Sequence, residues 1–286
     1  MNKIIITTES CSDLTEEMIG KSGVYTIPMH IVFETETFAD GTIPVQYIYN
    51  YFEKTKRVPK TSAVNPAEFT GFFEKISKEN PGASIIHIGY SSECSCTYQN
   101  AVIGISESKN ADVYLVDSKN VSGGAGNLTM LAVKLRDENP QATTEELVEK
   151  IKGYVPRIVT GFVPERLEYL VAGGRVSNAA AIGASILRIK PRIDIVGGKL
   201  IATKKYRGSM ERVAQKFAEE FVQSRDLSRE VIYIMYAIGA NKNIIEKMKK
   251  YFIEQGFKDV IILHTGCVMS THGGEGAIGI SGIENI

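Results

Sequence analysis

Between residues 3 and 151 short apolar runs alternate with longer amphipathic stretches, and few folds accommodate that alternation. Lys3 to Thr8, Ala83 to Tyr90 and Asp112 to Asp117 are apolar runs of strand length. Val24 to Phe33 reads as a further strand. Phe69, Phe72, Phe73 and Ile76 recur at i, i+3, i+4 and i+7, and Leu128, Leu131, Ala132 and Leu135 make a second helical face. Strands separated by helices pair in parallel, because each helix carries the chain back to the start of the sheet. The expected fold class is therefore α/β, with a mostly parallel sheet in the first half and helices on both of its faces.

Punctuation supports these spans. Ser12 or Asp13 is expected to cap a short helix, and Asp40-Gly41 to turn the chain before a helix over Val45 to Phe52. Pro66 suits the first turn of the helix that follows it, and Thr143 with Glu146 makes a capping box for a helix through Ile151. Near Gly153 to Pro156 the character changes. A domain boundary is placed there, giving residues 1–156 and 157–286. The second part offers strands at Pro156 to Pro164, Val231 to Ala237 and Val260 to His264. Gly197-Gly198 forms a two-residue hairpin between Arg192–Val196 and Lys199–Thr203. Glu165 to Val171, Asn178 to Leu187 (capped by Ser177), a stretch from Met210 and Ile244 to Gln255 are expected to be helices. The segment from Ser270 to Gly279 is read as a closing loop.

The chemistry concentrates at Ser91-Ser92-Glu93-Cys94-Ser95-Cys96-Thr97-Tyr98-Gln99. Hydroxyl side chains crowd a strand-to-helix corner there, where free backbone N–H groups suit a small anion such as a carboxylate or phosphate. The plainer reading is that Ser95 or Thr97 is an N-cap. A second hydroxyl-bearing loop runs from Lys60 to Pro66 and includes Thr61 and Ser62. Of the four histidines, His30, His87 and His264 lie within apolar strands, whereas His272 sits in a glycine-rich stretch where packing demands it less.

Other chemistries are weaker. Lys plus Arg equals Asp plus Glu at 33 each, so the totals carry no basic field for nucleic acid. Cys94, Cys96 and His272 are the available metal ligands, but C-x-C is not the usual C-x-x-C knuckle, and no metal or cofactor is expected. Gly123 to Gly126 matches neither a P-loop nor a dinucleotide fingerprint, and tight helix packing explains it better than nucleotide binding. Ser95 as nucleophile with His272 as base would make a serine hydrolase or acyltransferase, but no G-x-S-x-G elbow surrounds Ser95. The amino terminus has no secretory pattern, no apolar run approaches about 18 residues, and the four cysteines are scattered, so a cytoplasmic location with reduced thiols is expected.

Thr8-Glu9-Ser10 with Asp13-Leu14, Thr61-Ser62 before Pro66, the Ser91 block, Val116-Asp117-Ser118, Gly173-Gly174-Arg175-Val176-Ser177, Ile189-Lys190-Pro191, Lys205 with Arg207, and His272 through Gly276-Ala277 occur in this order. In that order they resemble the DegV family, whose best understood members are the fatty-acid-binding subunits of bacterial fatty acid kinase. The resemblance implies two α/β domains holding one long-chain fatty acid between them. It implies a carboxylate cradle of Thr61, Ser62, Ser95 and His272, with Arg175 near the mouth and Arg207 on a surface met by the kinase catalytic subunit. Such a protein is a carrier and not an enzyme: a separate ATP-dependent kinase phosphorylates the bound carboxylate, and the acyl phosphate feeds phospholipid synthesis. The chain departs from the family pattern at Ala63, Cys94, Cys96 and Glu275. A side chain at Cys96 is expected to narrow the cradle, and an inward Glu275 to repel a carboxylate.

Elementary energetics suit such a ligand. Each methylene removed from water contributes about 0.8 kcal/mol, so a sixteen-carbon tail gains on the order of 10 kcal/mol gross. Head-group hydrogen bonds then supply orientation. The small-residue helix Ala179-Ala180-Ala181-Ile182-Gly183-Ala184 either leaves room for the tail or packs closely on a neighbour.

Overall fold

The computed structural model describes residues 3–176 and 189–285. Two sheets carry the architecture, and a small third one hangs beside them. In the first sheet, β1 (Ile4–Glu9), β2 (Tyr25–Ile27), β6 (Ser84–Gly89) and β7 (Asp112–Asp117) lie in the order β2-β1-β6-β7, every pairing parallel. Strand alternation sends Ile5 and Ile85 to one face, where they pack with Phe69, Phe73 and Ala101. Ile6, Ile86 and Ile88 go to the other, against Leu128, Leu147 and Ile151. These partners belong to α3 (Pro66–Glu79) and α4 (Thr97–Glu107) on the first side, and to α5 (Gly123–Glu138) and α6 (Thr144–Tyr154) on the second. Both faces of the parallel sheet are thus covered by helices, as the sequence pattern requires.

The second sheet follows the order β10-β9-β8-β13-β11-β12. Its strands are β8 (Ile158–Val163), β9 (Ile189–Val196), β10 (Lys199–Arg207), β11 (Val231–Tyr236), β12 (Asp259–His264) and β13 (Ile278–Ile283), antiparallel except for β11 with β12. Gly197 and Gly198, with φ of 56° and 87°, make the tight turn between β9 and β10. The helices α8 (Met210–Gln223) and α9 (Lys242–Glu254) cover this sheet with Phe217, Phe221, Met248 and Phe252. Between the two sheets runs α5, touching β1 and β6 on one side and β8, β11 and β13 on the other. Its glycines allow that approach: a Cβ on Gly124 would lie 2.3 Å from Thr160 Oγ1, and one on Gly126 2.5 Å from the Ser12 carbonyl oxygen. Close packing is therefore what this glycine run does.

Several sequence expectations are corrected. Val24 to Phe33 is two short strands in different sheets, β2 and β3 (His30–Val32), because Pro28 interrupts the ladder between them. Neither Ser12 nor Asp13 caps α1 (Glu16–Ser22): Thr15 does, while Asp13 takes a left-handed conformation, φ 56°, after a short 3-10 turn at Ser10–Ser12. The Lys60 to Pro66 loop contains β5 (Lys60–Ser62), which joins β3 and β4 (Thr37–Ala39) in the antiparallel sheet β4-β3-β5. The closing segment is not a loop. Cys267–Gly273 is a helix, α10, and Ile278–Ile283 is a central strand of the second sheet. Gly279 hides that strand from a reading by propensity, yet a side chain there would meet Met235 Cε at 2.9 Å. The expected helix Asn178 to Leu187 and its cap Ser177 lie outside the described residues. The helices α2 (Gln46–Thr55) and α7 (Leu167–Gly173) complete the fold, both packing against α10. Among the described residues no helix is long and apolar enough to cross a membrane.

Candidate functional site

Three elements far apart in sequence line a single cavity. Thr61 comes from β5, Ser95 from the corner before α4, and His272 from the last turn of α10. The cavity is partly enclosed and opens to solvent on one side. Beyond the polar side chains its wall is chiefly apolar: Met29, Phe162, Leu200, Met235, Val268, Met269 and Ile278. Three of these are methionines, whose unbranched side chains repack easily around an irregular guest.

The alternation of β5 decides which hydroxyl enters. Thr61 and Ala63 line the cavity, whereas Ser62, between them, is exposed and turned away from it. The expected role for Ser62 in the cradle is corrected on that ground. Thr61 Oγ1 lies 2.8 Å from His272 Nε2. The other ring nitrogen, Nδ1, is buried with no hydrogen-bond partner among the described residues. It abuts α7, where a Cβ on Gly173 would fall 2.5 Å from it. Burial, and then the nearby positive charge of Arg175, lower the pKa of His272 from 6.5 to about 4, so the ring is neutral at pH 7. A neutral imidazole carries one proton. Placing it on Nε2 avoids an orphaned N–H at Nδ1, the costlier of the two unpaired states. His272 then donates to Thr61, and the hydroxyl proton of Thr61 is left to point into the cavity.

Ser95 is placed similarly. Its Oγ accepts the Thr97 N–H at 3.2 Å, so its own proton remains available. The N-cap position itself is Cys96, in a helical conformation and making no side-chain bond, so neither Ser95 nor Thr97 is the capping residue. Cys96 is exposed and does not line the cavity, so it leaves the cradle unnarrowed. Cys94 does line it, and its Sγ donates to the Gly198 carbonyl at 3.1 Å. Burial raises that thiol to about 11, which keeps it protonated and a poor nucleophile. With Cys96 outside and His272 inside, the set Cys94, Cys96 and His272 does not converge, and the described residues hold no cluster of metal-ligating groups. His272 Nε2 is bonded to Thr61 and Nδ1 is packed against Gly173, and no hydrogen bond joins the ring to Ser95 among the described residues.

Arg175 lines the same cavity while remaining exposed to solvent, which puts it at the mouth, and its guanidinium donates to the Gly173 carbonyl at 2.8 Å. Arg207 ends β10 and is exposed, away from the cavity. Glu275 does not enter. It pairs with Arg166 at 3.5 Å and rests on Gly239, so it is not the inward side chain that the expected repulsion requires.

Sequence reasoning missed the groups that hold α10 in place. Asp13 Oδ1 accepts the Gly266 N–H at 2.7 Å, and Asp40 Oδ1 accepts the N–H groups of Cys267 at 2.9 Å and Val268 at 3.4 Å. Two carboxyl groups thereby satisfy the free donors at the start of a helix that carries His272 at its other end. Ser10 donates to Asp40 Oδ2 at 2.8 Å, and Ser122, which lines the cavity, donates to Asp13. Burial raises both carboxyls above the usual range, Asp13 to about 8. Nothing local distinguishes Asp13 from a turn residue; only the fold brings it to Gly266. Tyr90, Thr160 and Thr265 also line the cavity, though nothing in their local sequence marks them as site residues.

Comparisons with known proteins show what the chain as a whole is similar to. The model of the DegV family of uncharacterised proteins matches residues 3–285. A DegV domain-containing protein of Clostridium acetobutylicum is 30% identical over 285 residues, spanning 99% of each chain. One from Staphylococcus aureus is 31% identical over 288 residues, spanning 98% of each. Among solved structures, a fatty acid binding DegV family protein from Streptococcus agalactiae superposes with a TM-score of 0.85 at 25% identity, over all of both chains. A DegV family protein from Thermus thermophilus, described for its fatty acid binding, superposes with a TM-score of 0.87 at 21% identity, covering 99% of this chain and all of the other.

Proposed function

The chain belongs to the DegV family, and from that premise we propose that it binds a long-chain fatty acid and presents the carboxylate to a separate ATP-dependent kinase. The observation that carries this reading is the presence of Thr61, Ser95 and neutral His272 in the wall of one chiefly apolar cavity, with Thr61 bonded to His272.

Two hydroxyl protons with no better acceptor face the cavity, and a carboxylate is the ligand group that takes such donors best. Hydroxyl donors orient it without neutralising it, so its oxygen stays nucleophilic toward a phosphoryl donor. The apolar wall holds the tail, and tail burial supplies most of the affinity, about 0.8 kcal/mol per methylene. The methionines among the lining residues suit acyl chains of more than one shape.

The protein performs no bond-making step in this scheme. A kinase catalytic subunit meets the surface that carries Arg207, phosphorylates the carboxylate exposed near Arg175, and the acyl phosphate proceeds to phospholipid synthesis. The division into residues 1–156 and 157–286, with the ligand between the two parts, and a cytoplasmic setting belong to the same proposal. Mass spectrometry of the denatured protein from its expression host is expected to release one fatty acid per chain. Protein that is consistently empty and takes up no added palmitate or oleate would sink the carrier reading.

A further inference from the structure

Tyr90 stands at the turn between β6 and the serine-rich corner, 8% exposed, with its side chain in the cavity wall. The core holds its backbone firmly. Its N–H donates to Glu9 Oε2 at 2.9 Å, and Glu9 is itself buried 3.3 Å from His87 Nε2. The next residue is tied on both sides, with the Ser91 N–H on the Asn120 carbonyl at 3.1 Å and Ser91 Oγ on the Gly198 carbonyl at 2.7 Å.

Its hydroxyl makes no hydrogen bond among the described residues. Other tyrosines share that condition, but differently. The hydroxyls of Tyr49 and Tyr169 are sealed from any accessible space, whereas that of Tyr90 is not sealed and belongs to a side chain that lines the cavity. Its neighbours are already engaged: Cys94 donates to Gly198, Arg175 to Gly173, and Thr61 bonds His272. Tyr90 shares the cavity lining with Cys94, Ser95, Arg175 and His272, so the phenol belongs to its polar part. Burial raises the phenol's pKa, so it stays protonated and can only donate to an anion.

We propose that the Tyr90 hydroxyl is a further head-group donor, hydrogen-bonding the carboxylate of the bound acid beside Thr61 and Ser95. A carboxylate offers about four acceptor positions, so three hydroxyls fit on it without competition. This assignment rests on the fatty-acid reading above and sharpens it: the site selects an acid over a neutral lipid through a donor that has no other use.

The test compares palmitate with hexadecanol, which share a tail and differ in the head. Tyr90→Phe is expected to lower the acid-over-alcohol affinity ratio about tenfold, or about 1.4 kcal/mol. An unchanged ratio, with wild-type palmitate binding intact, overturns the role of Tyr90 and leaves the carrier reading standing. Failure of the wild-type protein to bind palmitate sinks the carrier reading itself. A second measurement needs no substitution. In protein labelled with ¹³C at the tyrosine Cζ, palmitate is expected to move one resonance that hexadecanol leaves in place, because Tyr90 is the only tyrosine among the described lining residues. Identical tyrosine spectra with the two ligands overturn the assignment.

Discussion

The carboxyl of Asp13 accepts the backbone N–H of Gly266 at 2.7 Å across 253 residues of chain. A side chain just after the 3-10 turn that follows the first strand therefore sets the start of the helix that carries His272. With burial raising its pKa from 3.8 to about 8, Asp13 takes up a proton on folding at neutral pH. A raised carboxyl contributes its stability fully below about pH 4 and loses it as pH rises through about 8. Asp13→Asn keeps an acceptor for Gly266 and cannot ionise, so it is expected to flatten the fall in stability over that window. Urea unfolding at a series of pH values reads this slope directly.

His272 acts in the opposite sense. Its pKa falls from 6.5 to about 4, so the folded state holds fewer protons than the unfolded one between those values. Stability is present above about pH 6.5 and declines as pH drops toward 4. His272→Gln, which still reaches toward Thr61 but does not titrate, is expected to remove this component. Identical acid unfolding midpoints for wild type and variant would contradict it.

Thr61 and Ser62 are adjacent yet face opposite ways. Thr61→Val deletes the hydroxyl that His272 orients and should weaken fatty acid binding by roughly 1–2 kcal/mol, the range for one hydrogen bond to a charged group. Ser62→Ala, on the exposed face, should change affinity and stability by less than about 0.5 kcal/mol. Titration calorimetry with one fatty acid on both variants separates them.

Gly173 touches the imidazole. A Cβ there would lie 2.5 Å from His272 Nδ1, so Gly173→Ala must push the ring off Thr61 or move α7. We expect a loss of about 1–3 kcal/mol in stability, as for other overpacked sites, together with weaker head-group binding. A histidine ¹⁵N spectrum unchanged from wild type would show that the ring had not been displaced.

Arg207 is exposed at the end of β10 and does not line the cavity. Arg207→Ala is expected to leave fatty acid affinity unaltered while reducing kinase-dependent acyl phosphate formation about tenfold or more. Wild-type coupling in a reconstituted assay would remove Arg207 from the partner surface.

By itself the sequence determined the local structure: parallel strands with both faces covered, Pro66 in the first turn of its helix, the capping box at Thr143, the Gly197-Gly198 turn, and, through the family resemblance, Thr61, Ser95 and His272, which line one cavity. Each of these follows from periodicity, from one residue's backbone preference, or from a family pattern written along the chain. The tertiary structure alone decided that β13 lies mid-sheet despite its glycines, that Thr61 enters the cavity while Ser62 does not, and that Asp13 and Asp40 hold the helix of His272. The reason is physical. Periodicity reports which face of an element is apolar, but which atoms meet across 211 residues, as Thr61 and His272 do, depends on how the sheets and helices pack.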